Sequence, residues 1–330
     1  MRLRIVAGLL LTISLLSVIG CPVESWGQER RQRVGILTFF PFTDDPTQAL
    51  WFEPFRRKLA SEGWIEGKSI SLEYRDAGSD PSKFASAAAA LAELKVDVIF
   101  AVSAPAVRAA HAATHSIPIV TQDFTNDPVA QGYVESYARP GGNVTGVFLD
   151  APEFAGKWFE ILRTIIPALS RVSVIWDSSP GSTHLNAVKN VAQSLGIKVQ
   201  VLEVRKPNDI GAAFSALRGR PQALIILPSP MLYVQSARLA KLARDHGLPA
   251  TSMARTFADA GGLVAYGPDL ISASERCASL VAKILRGAKP ADLPVERPTN
   301  FGLVVNVKAA KALGLSVPES LLLRADEVIQ

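Results

Sequence analysis

Only two cysteines occur among the 330 residues, Cys21 and Cys277, which excludes a disulfide framework. Basic residues outnumber acidic ones by 35 to 30, yet they are spread along the chain and never gather into a run, so no nucleic-acid partner is expected. Also missing are a Gly-x-Ser-x-Gly elbow, a Walker loop and a dinucleotide-binding Gly-x-Gly-x-x-Gly. The commonest routes to α/β enzymology are absent with them. His111 and His115 have the i, i+4 spacing of a zinc-binding helix, but Ala112 stands where a metalloprotease needs Glu, and His184 and His246 are isolated. Neither a metal, a cofactor nor catalysis is expected. Cys277 lies among Ser, Ala, Leu and Val in an expected helix. It reads as a small buried apolar side chain, because a reactive thiol wants a basic neighbour or a helix N-terminus.

Long hydrophobic runs are scarce too. The one near the N-terminus, Ile5 to Ile19, follows Arg2 and Arg4 and is short for a membrane span. A basic start followed by a short apolar stretch describes an export signal over residues 1–20. It ends "SVIGC", which resembles a lipobox. Cys21 would then be diacylated and would hold the mature protein on a membrane surface; the alternative is an ordinary cleaved signal with Cys21 lost or unmodified.

What the sequence does contain, after a polar tether (21–32), is a repeated strand-and-helix grammar. Short β-branched runs at 33–40, 69–74, 96–102, 117–121 and 143–149 read as buried parallel strands. Helical segments are expected between them near 47–62, 81–94, 105–115 and 128–138. The pattern restarts with strands at 172–177, 197–204, 222–227, 248–253 and 262–266, and helices near 153–166, 183–195, 208–218 and 232–245. The expected fold class is therefore α/β, with two doubly wound parallel-sheet lobes. The first lobe is assigned to 33–145 with part of 268–300, and the second to 146–266 with part of 300–330. Three hinge crossings, at 140–152, 265–269 and 289–300, join them.

In open parallel sheets, ligands bind where strand ends feed into helix N-termini. The strand at 96–102 stops at Ser103-Ala104-Pro105, and the strand at 222–227 stops at a comparable "PSPM". Both suit helix starts, since Pro lacks an amide that would go unpaired there. Similar polar or aromatic exits follow the other strands: "TFFPFTDD", "QDFTNDP", "WDSSPGST" and "AYGPD". A cleft between two such edges would offer hydroxyls and amides, including Ser103, Ala104 and Ser229, to a carboxylate. Asp127 or Asp177 would meet an ammonium. Phe39, Phe40, Trp176 and Tyr266 would cover an apolar portion. A small amino-acid-like solute would suit such a cleft.

The stretches 126–147 ("NDPVAQGYVESYARPGGNVTGV"), 155–177 ("AGKWFEILRTIIPALSRVSVIWD") and 299–329 ("TNFGLVVNVKAAKALGLSVPESLLLRADEVI") resemble the ABC-transporter substrate-binding family of tryptophan-binding-protein type. The resemblance covers nearly the whole chain after Val34. It implies the type I periplasmic-binding fold, a monomer exported to the periplasm or the outer face of a membrane, a captured small solute, and docking on a membrane permease. Binding positions carried over by resemblance are Ser103, Ala104, Asp127, Ser229 and Tyr266. Gln122, Asp123 and Phe124 depart from the family, whose members typically carry small or apolar residues there. A ligand-sensing accessory to a membrane receptor or sensor kinase is the alternative reading. A sugar-repressor type of regulator shares the fold, but the apolar export segment stands where its DNA-binding helices would be.

Overall fold

β-branched and aliphatic residues with both faces buried make parallel strands, and the first of them, β1 (Gln32–Thr38), buries Val34, Ile36 and Leu37 completely. In this computed structural model the described residues are 31–40, 46–78 and 80–330. The expected signal, Cys21 and most of the tether lie outside them. No helix among the described residues is long and apolar enough to cross a membrane. Residues 31–330 form one contiguous unit.

The first lobe continues through α1 (Pro46–Ser61), β2 (Ile70–Asp76), α2 (Phe84–Glu93), β3 (Val98–Val102), α3 (Ala104–Ala113), β4 (Ile119–Asp123) and β5 (Val144–Phe148). Its sheet is wholly parallel, in the order β2-β1-β3-β4-β5. Helix α1 presents Phe52, Phe55 and Leu59 to the sheet at helical spacing, and the Phe55 ring stacks on Phe100 of β3 with centroids 4.3 Å apart.

The second lobe runs through α4 (Ala151–Ile165), β6 (Arg171–Asp177), α5 (Thr183–Ser194), β7 (Lys198–Val204), α6 (Asp209–Ser215) and β8 (Ala223–Ile226). It goes on with α7 (Pro230–Val234), α8 (Ser236–Asp245), β9 (Ala250–Ser252), α9 (Arg255–Asp259) and β10 (Val264–Pro268). Next, α10 (Leu270–Leu285) returns to pack on α1, β3, β4 and β5 of the first lobe. The chain ends in the second lobe with β11 (Phe301–Asn306), α11 (Val307–Ala312), α12 (Glu319–Leu322) and β12 (Glu327–Ile329). The second sheet is ordered β12-β11-β10-β9-β8-β6-β7. Strands β7-β6-β8-β9-β10 therefore repeat the order of the first sheet, so one winding is used twice.

Several sequence expectations change. The second sheet is not wholly parallel, because β11 pairs antiparallel with β10, with Tyr266 opposite Leu303. The chain arrives at β11 from the hinge, already at the carboxyl end of β10, and can only run back. The helix expected at 128–138 is absent. Turns replace it: Gly132 takes a positive φ of 71°, and the amide of Tyr133 bonds the carbonyl of Pro128, which buries Tyr133 and Val134. The helix expected at 232–245 divides at Gln235 into α7 and α8. The lobe boundary drawn at 145/146 falls inside β5, every residue of which pairs with β4.

The crossings are tied to one another. The amide of Glu296, in the third crossing, donates to Gly146 O at 2.8 Å, and the amide of Phe148 donates back to Glu296 O at 3.0 Å. Arg297 pairs with Asp150 of the first crossing at 3.2 Å. Asp150 and Asp269 cap α4 and α10, so two of the three crossings end as helix caps. Cys277 is fully buried on α10, with its thiol directed at Thr121 O (3.5 Å), and burial pushes its pKa up.

Candidate functional site

In this winding the crevice opens beside the strand at which the order reverses, β1 and β3 in the first sheet, β6 and β8 in the second. The carboxyl ends of both sheets face one another there. Between them lies a cavity that opens to solvent, with about 670 Å³ of empty space when that open solvent is included. The first lobe supplies Phe40 after β1, Val102 and Ser103 at the end of β3, and Gln122–Thr125 at the exit of β4. Pro228–Pro230 after β8, Tyr233 of α7 and Met253 after β9 line the other side, and Leu270 closes the hinge end.

Ser103 is unusual. Its φ of 101° lies where only glycine is comfortable, and its hydroxyl is buried without a hydrogen-bond partner. Such strain persists only where surrounding structure imposes it, and it gathers at ligand sites. Helix α3 begins at the next residue, with Pro105 in its first turn. Ser229 is a conventional cap by comparison, since its hydroxyl accepts from the amide of Leu232 at 3.0 Å.

Asp123, the last residue of β4, is completely buried. Its Oδ1 accepts from the amide (2.8 Å) and hydroxyl (2.6 Å) of Thr125, and its Oδ2 accepts from the Asn126 side chain at 3.0 Å. Burial pushes its carboxyl above the ordinary range, and those hydrogen bonds oppose the shift. Among the described residues no basic side chain pairs with it. Beside it, Gln122 is held by Ser274 of α10 at 3.0 Å.

The two lobes touch over the cleft. His184 of α5 is buried, with Nε2 on the carbonyl of Phe124, and its Nδ1 has no partner. Arg108 of α3 donates to Pro180 O at 3.1 Å. A Cβ added to Gly181 would stand 3.4 Å from Asn126 Oδ1, so the loops after β4 and β6 meet directly.

Of the residues expected from sequence, Phe40, Ser103 and Ser229 line the cavity together. The other six do not. Phe39 packs inward on Phe84, with ring centroids 6.4 Å apart, and meets Phe40 edge-on. Ala104 is buried in the first turn of α3. Asp127 caps its own turn, accepting from the amides of Val129 (2.9 Å) and Ala130 (3.4 Å). Trp176 donates to Gly181 O at 2.9 Å and braces its own loop. Asp177 is buried, with Oδ1 on the amide of Ser179 and Oδ2 unpaired. Tyr266 lies in an aromatic stack between Phe154 (5.5 Å) and Phe301 (5.7 Å). Sequence reasoning did not place Thr125, Tyr233, Met253 or Leu270 in the wall. Met253 was the accessible one, because it directly follows a strand.

Residues 40–329 match the family described as ABC transporter substrate binding protein. A tyrosine-binding protein of Clostridioides difficile is 27% identical over 266 residues, 79% of this chain and 75% of that protein. An ABC domain from Streptococcus pneumonia in complex with L-Trp is 25% identical, with 91% of this chain and all of that one covered and a TM-score of 0.83. Against a ligand-free, open substrate binding protein of Clostridium difficile, at the same identity and with 91% and 99% covered, the TM-score is 0.66. The lobe arrangement here is thus nearer to that of the ligand-bound relative, in keeping with the contacts across the cleft. A type I periplasmic-binding fold with a cavity at both switch points, matched along nearly its whole length, makes this chain a member of the ABC transporter substrate binding protein family.

Proposed function

We propose that the protein is the extracytoplasmic solute-binding component of an ABC importer, and that it captures a small molecule with an apolar or aromatic body in the inter-lobe cavity. The observation that carries this reading is the cavity itself. It is built from strand exits of both lobes and holds an unsatisfied, strained Ser103 and an uncompensated Asp123. A hydroxyl left unpaired is costly to bury unless a ligand completes it, and a carboxylate held only by neutral donors still lacks a countercharge. Tyr233, Phe40, Phe124, Met253 and Leu270 supply the apolar wall, which suits a solute with an apolar body. Tyrosine and tryptophan, named for two of the relatives, carry aromatic bodies of that kind.

Solute contacts both edges only when the lobes are together, so binding shifts the population from open to closed. An affinity near micromolar corresponds to about 8 kcal/mol, within reach of several polar contacts and one buried aromatic face. The closed form then docks on a membrane permease as a monomer. Export and diacylation at Cys21 would keep it at the membrane surface beside that permease. A thermal-shift screen against amino acids, amines, small acids, nucleosides and amides tests the reading, because a true ligand raises the melting temperature by mass action. If the folded protein responds to no solute, the assignment fails.

A further inference from the structure

The cavity is unbalanced in charge. Among the described residues Asp123 is the one charged residue of its wall, fully buried and lacking a basic partner. Among the described residues none that lines the cavity is Lys, Arg or His. The Asp123 carboxylate accepts only from the neutral donors of Thr125 and Asn126, and the N-terminus of α3 at Ser103 adds no more than about half a positive charge. A zwitterion would bring one charge of each sign and leave the closed cleft as negative as before. An anion would make it worse. A solute with a single positive charge leaves it neutral, and charges removed from water in a low-dielectric site must balance.

A second space lies beside the first, along the carboxyl edge of the second sheet, and shares Tyr233, Met253 and Leu270 with it. It repeats the sign. Its wall carries Asp259, Asp269, Asp326 and Glu327 against one cation, Arg255. That arginine is already paired with Glu327 at 2.7 Å and Asp259 at 3.4 Å. Among the described residues neither space therefore offers a free cationic side chain for a carboxylate, and the potential across both favours a positive solute.

We propose, resting on the solute-binding reading above, that the solute is a monocationic amine with an apolar or aromatic body and no carboxylate, and that its ammonium is seated on Asp123. Gln122 cannot substitute as a charge partner, because its amide is neutral and engaged with Ser274. Ser103, with its unpaired hydroxyl, is the second polar contact. Phe40 and Phe124 enclose the body of the solute, and their ring faces also favour a cation.

Matched pairs that differ only in the carboxylate provide the test: tyramine with tyrosine, tryptamine with tryptophan, phenethylamine with phenylalanine, and 3-phenylpropionate as an anion. Titration calorimetry on the full chain should show at least one amine binding tenfold or more tighter than its amino acid, and no binding of the anion. Asp123→Asn should weaken that amine at least thirtyfold, and Asp123→Glu should restore part of the loss. Circular dichroism shows whether each variant folds, and if Asp123→Asn does not, the matched pairs on the native chain decide alone. Tighter binding of the amino acids overturns the proposal while leaving solute binding intact. So does an Asp123→Asn variant that is folded and unimpaired, or a thermal-shift screen in which only neutral or anionic solutes respond. A screen with no response from any solute overturns the importer reading, and this inference with it.

Discussion

Arg108 on α3 of the first lobe donates a hydrogen bond to the carbonyl of Pro180 in the second, 3.1 Å away across the mouth of the cleft. The contact exists only while the lobes are together, and both partners sit on elements that begin or end at the cavity. Its removal should act on closure and not on folding. Arg108→Ala is expected to weaken solute binding by about 1 kcal/mol, roughly fivefold, a partly exposed charge-assisted bond being worth no more. Calorimetry and thermal melts on one sample check this: a lowered melting temperature without ligand, or an unchanged affinity, would contradict it.

His184 makes the cleft sensitive to acid. Burial holds its imidazole pKa down at about 4, with the Phe124 carbonyl bond opposing, against 6.5 in the unfolded chain. As pH falls the unfolded chain takes up the proton first, so the folded state loses stability from about pH 6.5 down to about 4. Above that window the contribution is complete. The loss is about 3 kcal/mol over the window. Urea unfolding at steps between pH 7.5 and 4.5 should show a shallower decline for His184→Gln than for the native chain. Parallel curves would refute the assignment.

Asp127 shows the difference between a cap and a binding group. Its carboxylate is occupied by the amides of Val129 and Ala130. Asp127→Ala should cost about 1 kcal/mol of stability through loss of that turn. It should leave solute affinity within twofold of native. An affinity loss with stability unchanged would return Asp127 to the site.

Gly146 sits in the middle of β5 with φ at 146°, and a Cβ there would lie 2.1 Å from the carbonyl oxygen of Thr121 on β4. Neither strand can move without opening the sheet. Gly146→Ala should therefore cost about 3 kcal/mol, from strain and a broken ladder together. Equilibrium denaturation measures it, and a loss below 1 kcal/mol would mean that the two strands separate readily.

Much of the architecture was legible in short stretches of residues. The β-branched runs around Val34, Val98 and Val174 placed strands within a few residues of where they lie, because burial on both faces requires apolar residues whatever the partner strand is. Ser103 and Ser229 were legible as helix starts from the Pro that follows each, and both line the cavity. Cys277 was legible as a buried apolar residue from its neighbours. Two α/β lobes and strand-end loops as the place to look needed nothing beyond periodicity and punctuation.

Which carboxylate lines the cavity was decided by tertiary structure. Asp123, Asp127 and Asp177 are equivalent as text: each is an acid near a strand exit. Asp123 ends β4 among the residues that line the cavity, whereas Asp127 lies four residues beyond, in a turn that satisfies it locally. Along a strand the facing alternates at every residue, so no local pattern reveals which side of the sheet the opposite lobe will cover. The antiparallel return of β11 and the turns at 128–138 were hidden for a related reason. Each depends on partners distant in sequence: where α10 delivers the chain, and which core is left for Tyr133 and Val134 to enter. Local propensity specified the elements, and contacts between remote segments chose the residues that line the cavity.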